Sequence, residues 1–301
     1  MARIALVGCA DLPDPDHDEA PALEALRAAG HEAEAIAWDA TASPRGGPGV
    51  DAGPDPSHDP AAFDLCVLRA TWNYIHQPEA FLAWVVHATG VSAVWNPAPI
   101  VRRNHHKRYL TELASEGVRT VPSILLPRGT GVKLDRLVRE AGWAERGWHG
   151  VVLKPAIGGW SWGVRAFPAD LDAAQRDLEE RGVEQDLIVQ PVVPGYGEGR
   201  ERSIVWIDHE VTHAVAKRPR LEGELESATL ASPPTAAELE LVEGCVAPLS
   251  QWLLYARIDV VPDADGEPMV SELELIEPSL YFFLHPPALE PFVRGVERRL
   301  G

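Results

Sequence analysis

Three acids near the C-terminal end of the sequence and two lysines in its middle are the side chains best placed to do chemistry. Glu272 and Glu274 lie two apart in the run Pro268-Met269-Val270-Ser271-Glu272-Leu273-Glu274, so in an extended chain both side chains point to one face. Asp259 stands in the preceding apolar run, Arg257-Ile258-Asp259-Val260-Val261. The intervening Pro262-Asp263-Ala264-Asp265-Gly266-Glu267 is a strong turn signal. Folding that hairpin sets Asp259 opposite residues 270 to 272, within a residue or two of register. Three carboxylates on one patch repel one another unless a cation neutralises them. Oxygen donors with no Cys or His nearby favour a hard ion such as Mg²⁺. Alone, the same pattern also suits a solvated acidic face. Lys154 ends the apolar run Val151-Val152-Leu153 and is followed by Pro155 and by Gly158, Gly159 and Gly163. A glycine-rich turn exposes backbone N–H groups, and a lysine beside it adds a point charge suited to phosphate. Lys107, in Asn104-His105-His106-Lys107-Arg108-Tyr109, is expected on the face of a helix that Asn104 caps. Acids and lysines together supply both halves of a Mg²⁺–triphosphate site.

Two other patterns point to different chemistry. His209-Glu210-Val211-Thr212-His213 matches the zinc-protease pattern HExxH, which needs both histidines on one face of a helix. Ile204, Val205, Ile207, Val211, Thr212 and Val215 make this region β-branched. In a strand, residues four apart lie roughly 13 Å from each other, too far to share one ion. Asp208-His209-Glu210 therefore reads as a hairpin tip. Gly159-Trp160-Ser161-Trp162-Gly163 matches the G-x-S-x-G nucleophile elbow, which needs a strand directly before the serine and a helix directly after it. Lys154-Pro155-Ala156-Ile157-Gly158 separates the serine from the strand before it, and Val164 to Phe167 looks like another strand. The segment reads as a flap between strands, with a hydrolase using Ser161 and His285 kept as an alternative.

The elements that must position these residues fall into two styles. Over the first hundred residues, strands at 3–9, 35–38 and 64–68 alternate with helices around Leu23 to Ala29 and from Pro78 onward, which predicts a parallel α/β unit. Residues 42–60, rich in Pro, Gly, Asp and Ser, form a loop. Beyond them the pattern changes to antiparallel pairs. Strands are expected at 151–154, 163–167 and 187–190, as a hairpin at 203–207 and 211–216, and at 256–261 and 268–276. Helices are expected at 171–181 and through Leu239 to Val246. The predicted fold class is thus α/β followed by α+β.

Composition sets the outer limits. The chain has 301 residues, 46% of them hydrophobic and 24% charged, enough for a sizeable core. With 27 Lys plus Arg against 45 Asp plus Glu, its formal charge is −18. That field disfavours nucleic acid and anionic membranes as partners. No run reads as membrane-spanning and none as a signal peptide. Cys9, Cys66 and Cys245 read as buried free thiols, which together suggest a cytoplasmic protein.

In this order the motifs resemble those of the ATP-grasp ligases. They are Lys107, Lys154 before a glycine flap, Leu187 to Val193 as a hinge, Gly199-Arg200-Glu201, Arg257-Ile258-Asp259 and Glu272-Leu273-Glu274-Leu275-Ile276-Glu277-Pro278-Ser279. The resemblance covers roughly residues 100 to 285. It implies an ATP-grasp fold whose two subdomains, with antiparallel sheets, clamp ATP. A pre-ATP-grasp substrate-binding domain would span 1–100, the first subdomain with its flap 101–190, and the second with the metal site 191–301. It implies that Lys107 and Lys154 contact the phosphates and that the flap, with Gly158, Gly159 and Ser161, closes over them. Gln190, Val192 and Val193 would bind adenine, and Glu201 the ribose. Asp259, Glu272 and Glu274 would ligate Mg²⁺, and Arg257, with Lys154, would act on an acyl phosphate. Glu274 stands where the family usually has Asn, and a carboxylate still ligates.

The implied reaction joins a carboxylate to an amine through an acyl phosphate, with no protein nucleophile. For the small amino-acid-like substrate the candidates are Arg69, Thr71, Trp72 and Tyr74, just after the third strand, where open α/β sheets bind ligands, and Arg218 at the end of a hairpin strand. Arg69 is expected to pair with a substrate carboxylate, although a structural Arg with packing aromatics fits equally. The acidic stretch 222–227 departs from the basic loop of glutamate-adding ligases. Arg69-x-Thr71-Trp72-x-Tyr74 and Glu272 to Ser279 look most like the cyclo-ligases that close O-ureido-D-serine onto its own aminooxy nitrogen. A ligase joining two molecules, glutathione-synthetase-like, is the competitor. A nucleotide binder without turnover fits poorly, because Lys154, Arg257 and all three acids are intact. Homo-oligomer formation is left open.

Overall fold

The computed structural model describes residues 1–41, 55–159, 161–197, 199–217 and 227–300. The N-terminal sheet is parallel, in the order β2 (Glu32–Ala37), β1 (Arg3–Gly8), β3 (Leu65–Leu68), β4 (Ala93–Trp95). Its central strand Leu-Cys-Val-Leu is buried at all four positions, as expected for a parallel strand covered on both faces. Helices α1 (Glu19–Ala28) and α2 (Pro78–Val91) accompany it, the latter opened by Pro78, whose missing N–H has no helical partner to lose. Two shorter helices follow, α3 (Ala98–Asn104) and α4 (Tyr109–Ser115).

The second sheet is antiparallel, in the order β5 (Ile124–Leu126), β8 (Leu187–Pro191), β6 (Val151–Pro155), β7 (Arg165–Phe167). Helices α5 (Leu134–Glu140) and α6 (Leu171–Arg181) share its core. The α6 start is fixed by Asp170, whose side chain accepts from the Ala173 N–H at 2.8 Å. The one-turn helix α7 (Pro194–Gly197) then crosses toward the third sheet. Gly195 is required there, because a Cβ would lie 2.6 Å from the Pro262 carbonyl oxygen.

The third sheet runs β11 (Ala228–Leu230), β10 (Glu210–Lys217), β9 (Glu201–Ile207), β12 (Tyr255–Pro262), β13 (Pro268–Glu274), all antiparallel. Helix α8 (Ala236–Val246) begins with a capping box, Thr235 bonding the Glu238 N–H while Glu238 reaches back. Helix α9 (Leu289–Arg299) returns to the beginning of the chain: Phe292 and Val296 share one core with Leu6 of the first sheet, Leu26 of α1 and Ile207 of the third sheet. Among the described residues, no helix is long and apolar enough to cross a membrane. The three cysteines are buried free thiols.

The expected helix 171–181 and the hairpin tip at Asp208-His209 are present. Asn104 is a correction. It ends α3 instead of capping the next helix, and its amide donates to the Leu273 carbonyl while its oxygen accepts from the Leu275 N–H, both at 2.9 Å. Asn96 works similarly, bonding the backbone of Leu254, Tyr255 and Leu275. Two buried asparagines thus clamp the segment after the first sheet onto strands β12 and β13, which carry the acids.

Candidate active site

The hairpin β12–β13 pairs Asp259 with Glu272 and Arg257 with Glu274. A bulge follows, so Val260 pairs with Val270 and Ser271 is the extra residue. The carboxylate oxygens of Asp259, Glu272 and Glu274 all lie within 4.8 Å of one another. Three hard donors at that spacing suit a hard divalent cation.

Each acid faces a cation. Asp259 accepts from Arg257 at 2.9 and 3.0 Å, from the Lys217 ammonium at 2.6 Å and from the Ser203 hydroxyl at 2.6 Å. Glu274 is paired with Arg257, and Glu272 with Lys107. Lys107 is not on a helix face. It lies in the break between α3 and α4, where its backbone N–H bonds the Ala156 carbonyl at 2.7 Å, next to the flap. Lys154, on β6, is buried; burial pushes its ammonium down to about 8, with Glu272 pulling the other way. Burial would raise Glu272, but Lys107 and Lys154 outweigh it and hold the carboxyl below its ordinary range. Burial likewise opposes ionisation of Asp259, yet Arg257 and Lys217 overcome it. Burial pushes Glu274 up to about 7, against the pull of Arg257.

These groups line one cleft of about 1010 Å³. Lys154, Val152 and Gln190 come from the second sheet, Glu201, Lys217, Arg257 and the three acids from the third, and Trp72, Tyr74 and the loop 14–18 from around the N-terminal sheet. Gly158, Gly159, Ser161, Val192 and Tyr196 also line it. Gln190 donates from its amide to the Ser123 hydroxyl at 2.8 Å, leaving its oxygen as an acceptor. Glu201, expected at a ribose, stands 3.7 Å from Lys217. Although the chain is acidic, four cations (Lys107, Lys154, Lys217 and Arg257) converge here. That concentration fits a polyphosphate.

Several expectations need correction. Arg69 does not face the cleft: it is 3% exposed, paired at 3.4 Å with buried Asp18 and held over the rings of Tyr255 and Phe282. Thr71 is fully buried and also off the cleft wall. Val193 is a core residue packed with Leu153 and Val189. Arg218 and the acidic stretch 222–226 lie outside the described residues. Trp72 and Tyr74 do line the cleft.

The two alternative chemistries lack their geometry. Ser161 has φ of 56° in a turn that leads into β7 with no helix after it, so it is no nucleophile elbow. His209 sits at a hairpin tip against Trp206, while His213 stacks on His285 at 4.8 Å.

Sequence reasoning missed Lys217 as a cleft cation and Tyr196, Glu277, Ser279 and Tyr281 as cleft walls. Lys217 carried a usable signal, because it ends the strand opposite Glu201. Tyr281 carried none; its φ of 53° and its ring 5.8 Å from the Arg257 guanidinium are set by tertiary contacts.

A family model described as the D-cycloserine synthetase DcsG, N-terminal domain, matches residues 4–45 and 53–96. The cycloserine biosynthesis protein DcsG of Streptomyces lavendulae is 28% identical over all of this chain and 99% of its own length. The crystal structure of D-cycloserine synthetase DcsG superposes with a TM-score of 0.85 at 26% identity, covering 99% of this chain and 100% of that one. A RimK domain ATP-grasp protein from Sphaerobacter thermophilus gives 0.64 at 20% identity over 100% of both chains. A D-alanine–D-alanine ligase from Bacillus anthracis complexed with ATP gives 0.65 at 14% over 100% of this chain and 97% of that one. The protein therefore has the ATP-grasp fold, and along its full length it is similar to a D-cycloserine synthetase.

Proposed function

We propose that the protein is an ATP-dependent carboxylate–amine ligase that activates a small amino-acid carboxylate as an acyl phosphate, and that it closes O-ureido-D-serine to D-cycloserine. The observation that carries the reading is the meeting of Lys107, Lys154 and Arg257 with Asp259, Glu272 and Glu274 in one cleft. Full-length similarity to DcsG supports the choice of ring closure over joining two molecules.

In this reading Lys107 and Lys154 hold the phosphates, with Gly158, Gly159 and Ser161 of the flap above them. Gln190 and Val192 flank the base, and Glu201 the ribose. Mg²⁺, held by Asp259, Glu272 and Glu274, would neutralise charge on the phosphates when bound. A substrate carboxylate oxygen attacks the γ-phosphorus, the bond to the β-phosphate oxygen breaks, and ADP departs. The substrate's aminooxy nitrogen then attacks the acyl carbon, loses its proton, and phosphate leaves. That nitrogen of O-ureido-D-serine still carries a carbamoyl group, and water must cleave this N–C bond, releasing carbamate, to give D-cycloserine. Arg257 faces the oxygens on which charge develops. Positioning and electrostatics suffice, because phosphoryl transfer asks little covalent chemistry of a protein.

Mg²⁺-ATP at one hundred times Kd is expected to stabilise the fold by about 2.7 kcal/mol, and Lys154→Ala to remove the resulting rise in Tm. An unchanged melt of the parent protein with saturating nucleotide would refute the reading. Glu272→Gln is expected to cut ADP release with O-ureido-D-serine by about 10²-fold or more while folding changes far less. Mass detection of the product separates ring closure from intermolecular coupling.

A further inference from the structure

We propose that Glu277, with the Tyr74 hydroxyl, is the subsite that binds the α-ammonium of the amino-acid substrate. The inference rests on the ligase reading and adds a specificity residue to it.

Glu277 lies three residues beyond the acid pair of β13, lines the cleft and is only 8% exposed. Among the described residues, the hydrogen bond to its carboxylate comes from the Tyr74 hydroxyl. It forms no ion pair among the described residues, unlike Asp259, Glu272 and Glu274, each of which has a cation. The Trp72 indole donates to the Glu277 backbone carbonyl at 2.9 Å, which fixes the residue against the first domain. Across from it the flap comes down at Gly159, where a Cβ would lie 3.4 Å from the Glu277 carboxylate.

An enclosed carboxylate with one neutral donor is costly unless a cation completes it. The cleft's charges say where that cation would come from. The wall supplied by residues 14–18 and 72–74 contributes Asp14, Asp16, His17 and Asp18, the last paired with Arg69 behind it, and among the described residues no Lys or Arg. All four cleft cations lie on the other walls, beside the phosphate-side acids. The polarity is therefore divided, with phosphate and activated carboxylate at the cationic side and a positive group at Glu277. Trp72 and Tyr74 add aromatic surface there, which also favours a cation. Burial, reinforced by Glu274, pushes Glu277 up to about 8 against the more distant pull of Lys107 and Arg257.

The test is calorimetric binding of two compounds to the protein saturated with a non-hydrolysable Mg²⁺-ATP analogue. One is O-ureido-D-serine; the other is 3-(ureidooxy)propanoate, which lacks only the amino group. The parent protein is expected to favour the amino compound at least about tenfold. Glu277→Gln is expected to bring the two affinities within threefold, and Glu277→Asp to restore part of the preference. Nucleotide-induced stabilisation is expected to remain in every variant. No preference in the parent protein, including no binding of either compound, overturns the proposal, as does a preference intact in Glu277→Gln. Loss of the nucleotide response in the parent protein would instead overturn the ligase reading.

Discussion

Arg257→Ala is expected to lower kcat for ADP release by about 10² to 10³-fold, the usual loss when one preorganised donor to a developing oxyanion is removed. The guanidinium is buried, forks onto Asp259 at 2.9 and 3.0 Å, pairs with Glu274 and lies against the Tyr281 ring. Four contacts fix its plane, so it can meet charge on a reacting carboxyl or phosphoryl oxygen without first reorganising. Asp259 and Glu274 also keep its protonated form well above the ordinary arginine range, against the effect of burial, so it is charged at any working pH. Arg257→Lys keeps the charge and loses the fork, and should recover only part of the rate. Because Lys107 and Lys154 are untouched, KM for ATP should move much less than kcat. Steady-state ADP release over a range of both substrates measures this, and a kcat within threefold of the parent in Arg257→Ala would remove Arg257 from the chemistry.

The hairpin that carries the acids was legible because its rules are local. A turn at Asp263 to Gly266 and side chains of period two were enough to bring Asp259 opposite 270 to 272, where the structure pairs it with Glu272, and Gly266 adopts the φ of 88° that such a turn wants. The bulge at Ser271 was not legible, since nothing in the sequence marks an extra residue. Asn104 failed for a different reason. Its side chain favours a helix start on local grounds, but the open edge of Leu273 to Leu275 offers it two backbone partners across 169 and 171 residues. That contact breaks the chain into α3 and α4 and puts Lys107 in the gap, where it reaches Glu272. The lysine was thus recognisable by type and misplaced by geometry. Arg69 shows the converse. Its position at the C-terminal end of β3 suits a ligand contact, yet Asp18, 51 residues earlier, engages it. Tertiary pairing of buried charges leaves no periodic trace in sequence.

That pairing leads to the largest expected effect on stability. Asp18→Ala should destabilise the protein by about 3–5 kcal/mol, the range seen when one partner of a buried ion pair is removed. Asp18 is 1% exposed and accepts the backbone N–H groups of Leu280, Tyr281 and Phe282 at 2.6, 2.9 and 2.6 Å, besides pairing with Arg69 at 3.4 Å. Its removal leaves three buried N–H groups and a buried guanidinium without their acceptor. At about 2–4 °C per kcal/mol the melting temperature should fall by roughly 6–20 °C. Asp18→Asn keeps an oxygen for the N–H groups and should cost less. Combining Asp18→Ala with Arg69→Met removes the stranded charge, so the double variant should be more stable than the two single losses add up to. Catalysis should suffer as well, because the segment held by Asp18 presents Tyr281 to Arg257. Denaturant unfolding of Asp18→Ala, Asp18→Asn, Arg69→Met and the double variant checks this. An Asp18→Ala protein within 1 kcal/mol of its parent would mean that the shared apolar core through Phe282, Phe292 and Leu26, with the Asn96 and Asn104 bonds, holds the first and third sheets together without help from Asp18.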